Sequence, residues 1–240
     1  MQDQFSRTRM QLGSAAMDVL AGSRVAVFGI GGVGGYVVEV LARSGIGALD
    51  LIDNDKVTIT NLNRQIIALM STLGQYKVDV AATRVHDINP MCKVLTYKLF
   101  YRVCNADELD LSQYDYVVDC IDTVSAKKEL VRRCTRLGIP FISSMGAACK
   151  LNPTAFKVCD ISKTKNDPLA KVLRKQLRRE GINHFKCVCS DELPLEPVEP
   201  ALEGEEYVPA SNAFVPAAAG LVIGGEVVKD LLHRAGISGE

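Results

Sequence analysis

Four glycines within six residues, Gly29-Ile30-Gly31-Gly32-Val33-Gly34, constrain the backbone of this chain more than any other stretch. They close a continuous apolar run, Arg24 to Ile30 (RVAVFGI), and open a segment with Val37, Val38, Val40 and Leu41 at helical spacing. Glycine there permits a tight turn and close approach of a ligand, and it leaves N–H groups free at a helix start, where phosphate binds. A second strand, ALDLID, ends near Asp53, twenty-four residues after Gly29, where a carboxylate can accept from ribose hydroxyls. This β-α-β unit predicts nucleotide binding. By itself it does not choose between a dinucleotide and ATP.

The alternation continues. LGQYKVDVAATRVHDINP reads as a helix closed by Asn89-Pro90, KVLTYKLF and YDYVVDCID as strands, AKKELVRRCTRLGIP as a helix and FISSM as a strand. The pattern predicts an α/β fold with a doubly wound, mostly parallel Rossmann-like sheet and ligands at the carboxyl ends of its strands. After Gly146, TAFKVCDIS and HFKCVCS read as further strands, expected antiparallel, with the helix PLAKVLRKQLRRE between them. Met10, Leu12, Met17 and Leu20 predict one or two short amphipathic helices at the start. A length of 240 residues with 48% apolar content fits one domain over 1–240.

The longest apolar stretch, Ala213 to Gly225, is thirteen residues. A membrane span needs roughly 20, so this is read as a buried helix running on to Leu232 with no membrane role. Asp191 to Glu206 holds seven acidic residues, three prolines and no base, which predicts a mobile acidic loop at about 190–210. Net charge is zero, so any nucleic-acid contact needs a local basic face. Eight scattered cysteines with no basic-plus-apolar leader point to free thiols in the cytoplasm.

Asn61, Arg64 and Lys77 add an amide and two cations beyond what holds adenosine. A docked diphosphate neutralised by a helix N-terminus does not need them, whereas a triphosphate being split at its α-phosphate does. Each alone also reads as a solvated side chain. Asp119 and Asp122, three apart at a strand end, should not both face the pocket. Asp122 is assigned to it as a ligand for Mg²⁺, with a helix N-cap ahead of SAKKEL as the competing role.

In order, GIGGVG, LIDNDKV, TNLNRQ, Lys77 and DCIDT resemble the adenylating domain shared by ThiF and MoeB proteins and ubiquitin-activating enzymes, over Phe5 to Leu232. FSRTRMQLG, SSMGAACKLNPTAF, DISKTKNDPLAKVLRKQLR and FVPAAAGLVIGGEVVKDLL are similar to the tRNA threonylcarbamoyladenosine dehydratase branch. That resemblance implies an enzyme that uses ATP and Mg²⁺ to adenylate the carboxylate of threonylcarbamoyladenosine in tRNA. The carbamoyl group then closes a ring, releasing AMP. It implies that Gly29, Gly31, Gly32, Gly34, Asp53 and Asp55 hold the nucleotide, with Asp53 on the ribose. Asn61, Arg64, Gln65 and Lys77 would meet the phosphates, and Asp122 the magnesium. Arg64, Lys77, Asp122 and Arg9 would be catalytic. Arg9, or else Arg7, resembles the arginine that reaches into the neighbouring site in the superfamily's homodimers.

MoeB-like relatives hold zinc with two C-x-x-C pairs. This chain has only Cys187-Val188-Cys189, so no structural zinc is expected. Cys187 falls near the reactive cysteine of sulfur-transfer relatives, yet it alternates with Phe185 and Val188 as a buried small apolar residue would. Lys171, Arg174, Lys175 and Arg178 share one helical face opposite Leu169, Leu173 and Leu177, and are read as a tRNA-contacting face that Arg132, Arg133 and Arg136 extend. A sulfurtransferase-type protein is a candidate partner, and the glycine-rich turns after Met145 are a candidate place for an alkali cation. The rival readings are adenylation of the C-terminal glycine of a ubiquitin-like sulfur carrier, and a nucleotide sensor without catalysis.

Overall fold

Seven strands form one sheet in the order β3-β2-β1-β4-β5-β7-β6. They are β1 (Arg24–Phe28), β2 (Ala48–Ile52), β3 (Lys93–Tyr97), β4 (Tyr116–Asp119), β5 (Phe141–Ser144), β6 (Phe156–Asp160) and β7 (Lys186–Ser190). The computed structural model describes residues 2–199 and 209–237. Neighbouring strands pair parallel from β3 through β7, and only the edge strand β6 runs antiparallel, against β7. The helices are α1 (Ser6–Leu12), α2 (Ser14–Gly22), α3 (Gly34–Arg43), α4 (Lys77–Ile88), α5 (Val124–Leu137), α6 (Pro168–Arg178) and α7 (Val215–Arg234).

Alternation along β1 sorts the core. Val25 and Val27 face a cluster built with α2, α3, α4 and α7, while Ala26 and Phe28 face one built with α5. With helices on both faces the central strands are apolar throughout, as their sequences anticipated. A third cluster lies under α6, where Leu173 and Leu177 cover Cys187 and Cys189 of β7.

The apolar stretch near the end of the chain serves helix packing. A Cβ at Gly220 would lie 2.5 Å from the Val33 carbonyl oxygen, and one at Gly224 would lie 2.6 Å from Val40 Cβ, so α7 approaches α3 only because these positions are glycine. Among the described residues no helix is long and apolar enough to cross a membrane.

Three expectations change. Met10 is 86% exposed while Met17 and Leu20 are buried, because the N-terminal segment breaks at Gly13 (φ 86°) into two helices with separate faces. The strand read to Phe100 ends at Tyr97. The acidic segment is anchored where it begins: Asp191 pairs with Lys157, and the Glu192 carboxylate accepts from the backbone N–H groups of Leu151 and Asn152 at 2.9 and 3.0 Å. Leu195 N–H donates to the Cys149 carbonyl at 2.7 Å. Composition sees the acidity but not the donors that meet it. The part of the expected loop over 200–208 lies outside the described residues.

Candidate active site

A cleft of about 570 Å³ opens at the carboxyl ends of β1, β2, β4 and β5. The strand order reverses there, between β1 and β4, and the crevice outside such a reversal is where open α/β sheets bind ligands. The glycine turn forms its floor. Gly29 has φ 85°, and a Cβ there would stand 2.7 Å from the Cys120 carbonyl oxygen; a Cβ at Gly34 would stand 1.8 Å from the Gly29 oxygen. The turn thus folds onto itself ahead of α3. The N–H groups of Gly31, Gly32 and Val33 have no acceptor among the described residues.

Asp53, just past β2, fastens this turn. One carboxylate oxygen accepts from Ile30 N–H at 2.7 Å and the other from Asp55 N–H at 2.8 Å. Burial lifts its carboxyl above the usual aspartate range, with Lys77 and the two N–H groups opposing the lift. Each oxygen retains a lone pair for a ribose hydroxyl.

Arg64 flanks the turn: a Cβ at Gly32 would lie 3.5 Å from its Cγ. One guanidinium nitrogen donates to Thr60 O at 2.8 Å and Asn63 Oδ1 at 2.9 Å, which aims the head without neutralising it. Buried Asn61 accepts from Thr58 N–H at 3.1 Å through its side-chain oxygen, folding the short turn that carries Arg64. Lys77 begins α4, and its buried ammonium donates to Asp55 at 2.7 Å. Gln65 is buried against Gly31, and its side-chain oxygen has no hydrogen-bond partner among the described residues.

The two aspartates after β4 divide as expected. Asp119 is 1% exposed; it accepts from Lys127 at 3.0 Å, Ser143 at 2.6 Å and Ile121 N–H at 3.1 Å, bracing the turn. Asp122 is exposed and lines the cleft, accepting only from the Thr123 hydroxyl at 3.3 Å. It does not cap α5, where Thr123 holds the N-cap position without a side-chain cap bond.

Several lining residues escaped the sequence reading. Leu99, Phe100 and Tyr101 form one wall, Ser144 to Ala148 with Leu169 the other. The first group lies just beyond β3, and Ser144 to Ala148 lie at and beyond the end of β5, so for these the strand-end rule was the signal available; Leu169 sits on α6. Asp167 was missed as well. Fully buried, it accepts from Gly146 N–H and from Ala170 N–H, each at 2.9 Å, tying the cleft wall to the start of α6.

Other expected residues lie elsewhere. Arg9 pairs with Asp3 at 2.9 Å and lines a second hollow at the amino ends of β1, β2 and β3; Arg7 is exposed on the same short helix. Lys171, Lys175 and Arg178 are exposed on α6 with no acidic partner among the described residues. Arg174 does not join them: it is half-buried and donates to the Thr164 carbonyl at 3.0 Å, satisfying a turn that would otherwise bury a bare carbonyl. Arg132 pairs with Glu129 and Glu180, and buried Arg133 holds Asp107 and the Leu109 carbonyl, so neither extends the basic face. Cys187 and Cys189 are buried, and the Cys120 thiol at the cleft is pushed up to about 12 by burial, unsuited to nucleophilic attack near neutral pH.

Fold and cleft define a class: a doubly wound α/β nucleotide-binding protein with two cations and several carboxylates gathered around a glycine turn. Comparison with known proteins narrows it. Residues 5–238 match the ThiF family. The tRNA threonylcarbamoyladenosine dehydratase of Bacillus subtilis is 47% identical over 240 residues, covering 95% of this chain and 94% of the relative. The Escherichia coli dehydratase is 35% identical over 256 residues, 98% of this chain and 96% of the relative. Crystal structures of that E. coli enzyme in complex with AMP and with ATP superpose with a TM-score of 0.89, covering 98% of this chain and 96% of theirs. The chain belongs to the ThiF family and, within it, to the tRNA threonylcarbamoyladenosine dehydratases.

Proposed function

We propose that this protein is an ATP-dependent dehydratase that cyclises threonylcarbamoyladenosine in tRNA by adenylating its carboxylate. The observation that carries the reading is the convergence of free turn N–H groups, Arg64, Lys77 and Asp122 on one cleft, in a chain whose dehydratase relatives match it nearly end to end. A substrate carboxylate oxygen bonds to the α-phosphorus as the bond to pyrophosphate breaks. The carbamoyl group then bonds to the acyl carbon, AMP leaves, and the nucleoside has lost one water overall.

The chain's own residues are assigned as follows. Asp53 accepts from the ribose, and the N–H groups of Gly31, Gly32 and Val33 receive phosphate oxygens. Arg64, Lys77, Asn61 and Gln65 donate to the phosphates, and the cations stabilise charge as it moves onto pyrophosphate. Asp122 suits Mg²⁺, an ion commonly held by one or two protein carboxylates together with waters and nucleotide phosphates. When bound, the ion would neutralise developing phosphate charge. An arginine from the N-terminal helix, Arg9 or Arg7, completes the neighbouring site in a homodimer. Lys171, Lys175 and Arg178 meet the tRNA backbone on a face joined to the cleft through Asp167 and Leu169. We further read the chain as one domain acting in the cytoplasm, with a sulfurtransferase-type protein as a candidate partner.

The reading is tested by pyrophosphate release. It predicts release only with tRNA that carries the modification, with one AMP formed per nucleoside cyclised. Release driven instead by a small protein's C-terminal glycine would favour the sulfur-carrier reaction, and ATP binding without any release would favour a sensor.

A further inference from the structure

Away from the cleft, three sulfur atoms meet at the antiparallel edge of the sheet. Cys159 of β6 lies directly opposite Cys187 of β7, and Cys189, two residues on, projects to the same face. The Cys159 sulfur is 3.1 Å from that of Cys189 and 3.7 Å from that of Cys187. Singly, each would be a small apolar core residue. Together they place two thiols on different strands within about 1 Å of disulfide bonding distance.

We propose that Cys159 and Cys189 form an oxidisable dithiol that closes to an intrachain disulfide in response to hydroperoxide. Cys159 is half-buried on the edge strand, whereas Cys187 and Cys189 are fully buried. Hydrogen peroxide transfers one oxygen to one of the two sulfurs, giving a sulfenic acid and one water. The other sulfur then bonds to it and displaces the hydroxyl group, which leaves with the second thiol's proton as another water. Two thiols lose two electrons and one peroxide gains them.

The surroundings set the tempo. The neighbouring Cys187 and Cys159 sulfurs hold the Cys189 thiol below its ordinary value against the opposing cost of burial. Burial first, and then the Cys189 sulfur, push Cys159 up to about 12. A raised thiol supplies little thiolate, so closure is slow and suits sustained rather than brief oxidant exposure. The bond would enclose α6 with its basic face, and Cys189 packs in the same cluster as Met145 of the cleft wall. Closure staples the β6-α6-β7 excursion and restricts the unfolded chain.

The test uses the full chain. Folded protein is treated with hydrogen peroxide, remaining thiols are alkylated, and peptides are mapped by mass without reduction. A Cys159–Cys189 cross-link is expected in the native sequence and in Cys104→Ser, which removes an exposed thiol, but not in Cys159→Ser. The melting midpoint should rise by several degrees on oxidation and return with dithiothreitol. Recovery of Cys159 alkylated or over-oxidised, a Cys159–Cys187 bond, or intermolecular links alone would overturn the proposal. The mapping of the native sequence decides even where a variant misfolds, and it does not depend on any tRNA activity.

Discussion

The ammonium of Lys77 lies 2.7 Å from a carboxylate oxygen of Asp55, and the backbone joins the same two residues, Lys77 N–H to Asp55 O at 2.9 Å. The lysine side chain is 7% exposed and the aspartate side chain 57%, so a buried cation is held at the cleft by a solvated anion. An entering phosphate would compete with Asp55 for that ammonium. Lys77→Ala should lower the rate of pyrophosphate release by about 10²–10³-fold, the scale of losing one preorganised donor to a reacting group. Asp55→Asn should cost much less, because Lys77 keeps its charge. Equal losses in steady-state assays of the two variants would mean that the pair serves folding alone.

Arg64 and Asp122 stand outside the apolar core. Arg64→Ala and Asp122→Ala should each abolish turnover while leaving a cooperative thermal transition within a few degrees of the parent. Calorimetry checks this directly; a broad, early transition would relocate both residues to the scaffold.

Asp53 supplies a pH dependence. Its folded carboxyl titrates above the ordinary value because burial disfavours the charge. As pH falls through that raised value the ribose acceptor is lost, so the KM for ATP should climb at a higher pH than an ordinary aspartate, near about 3.9, would allow. Asp53→Asn should raise KM throughout and remove this limb. For stability the sign is opposite: the folded state binds the proton more tightly, so between the ordinary and raised values this group makes the protein less stable as pH rises. A KM profile identical in parent and variant would exclude the role.

Lys175→Ala combined with Arg178→Ala should weaken tRNA binding and reduce its salt slope by up to about two counterions. Arg174→Ala should instead lower the melting midpoint, since its guanidinium satisfies the Thr164 carbonyl. Binding titrations at several salt concentrations separate the two behaviours.

Adjacent glycines in α7 make opposite predictions. Gly224→Ala drives a Cβ into Val40 and should cost about 1–3 kcal/mol. Gly225→Ala meets nothing within 4 Å and should be neutral or stabilise by up to about 1 kcal/mol. Chemical denaturation of both variants checks the pair.

What was legible follows from range. The glycine turn, Asp53 and the strand–helix alternation are local patterns, and the sheet they predict is the one observed apart from strand ends and from β7, expected antiparallel but paired parallel with β5. Strand geometry said that Asp119 and Asp122 should not both face the cleft, but not which of them would. The charged helix faces were less transparent. Arg174, Arg132 and Arg133 occupy positions a helical wheel calls exterior, yet each finds a carbonyl or carboxylate outside its own helix. Asp167 was hidden only in part: its bond from Ala170 N–H, three residues on, is a local helix cap ahead of Pro168, whereas its bond from Gly146 N–H crosses a tertiary contact. Spacing reports which face a side chain shares, but not what the fold brings against that face.

The most direct measurement is to incubate the protein with ATP, Mg²⁺ and tRNA containing threonylcarbamoyladenosine, digest the tRNA, and weigh its nucleosides. A modified nucleoside lighter by one water, formed only with ATP and absent with Arg64→Ala, is the predicted result. Unchanged nucleoside mass, with the protein folded and able to bind ATP, would contradict the dehydratase function.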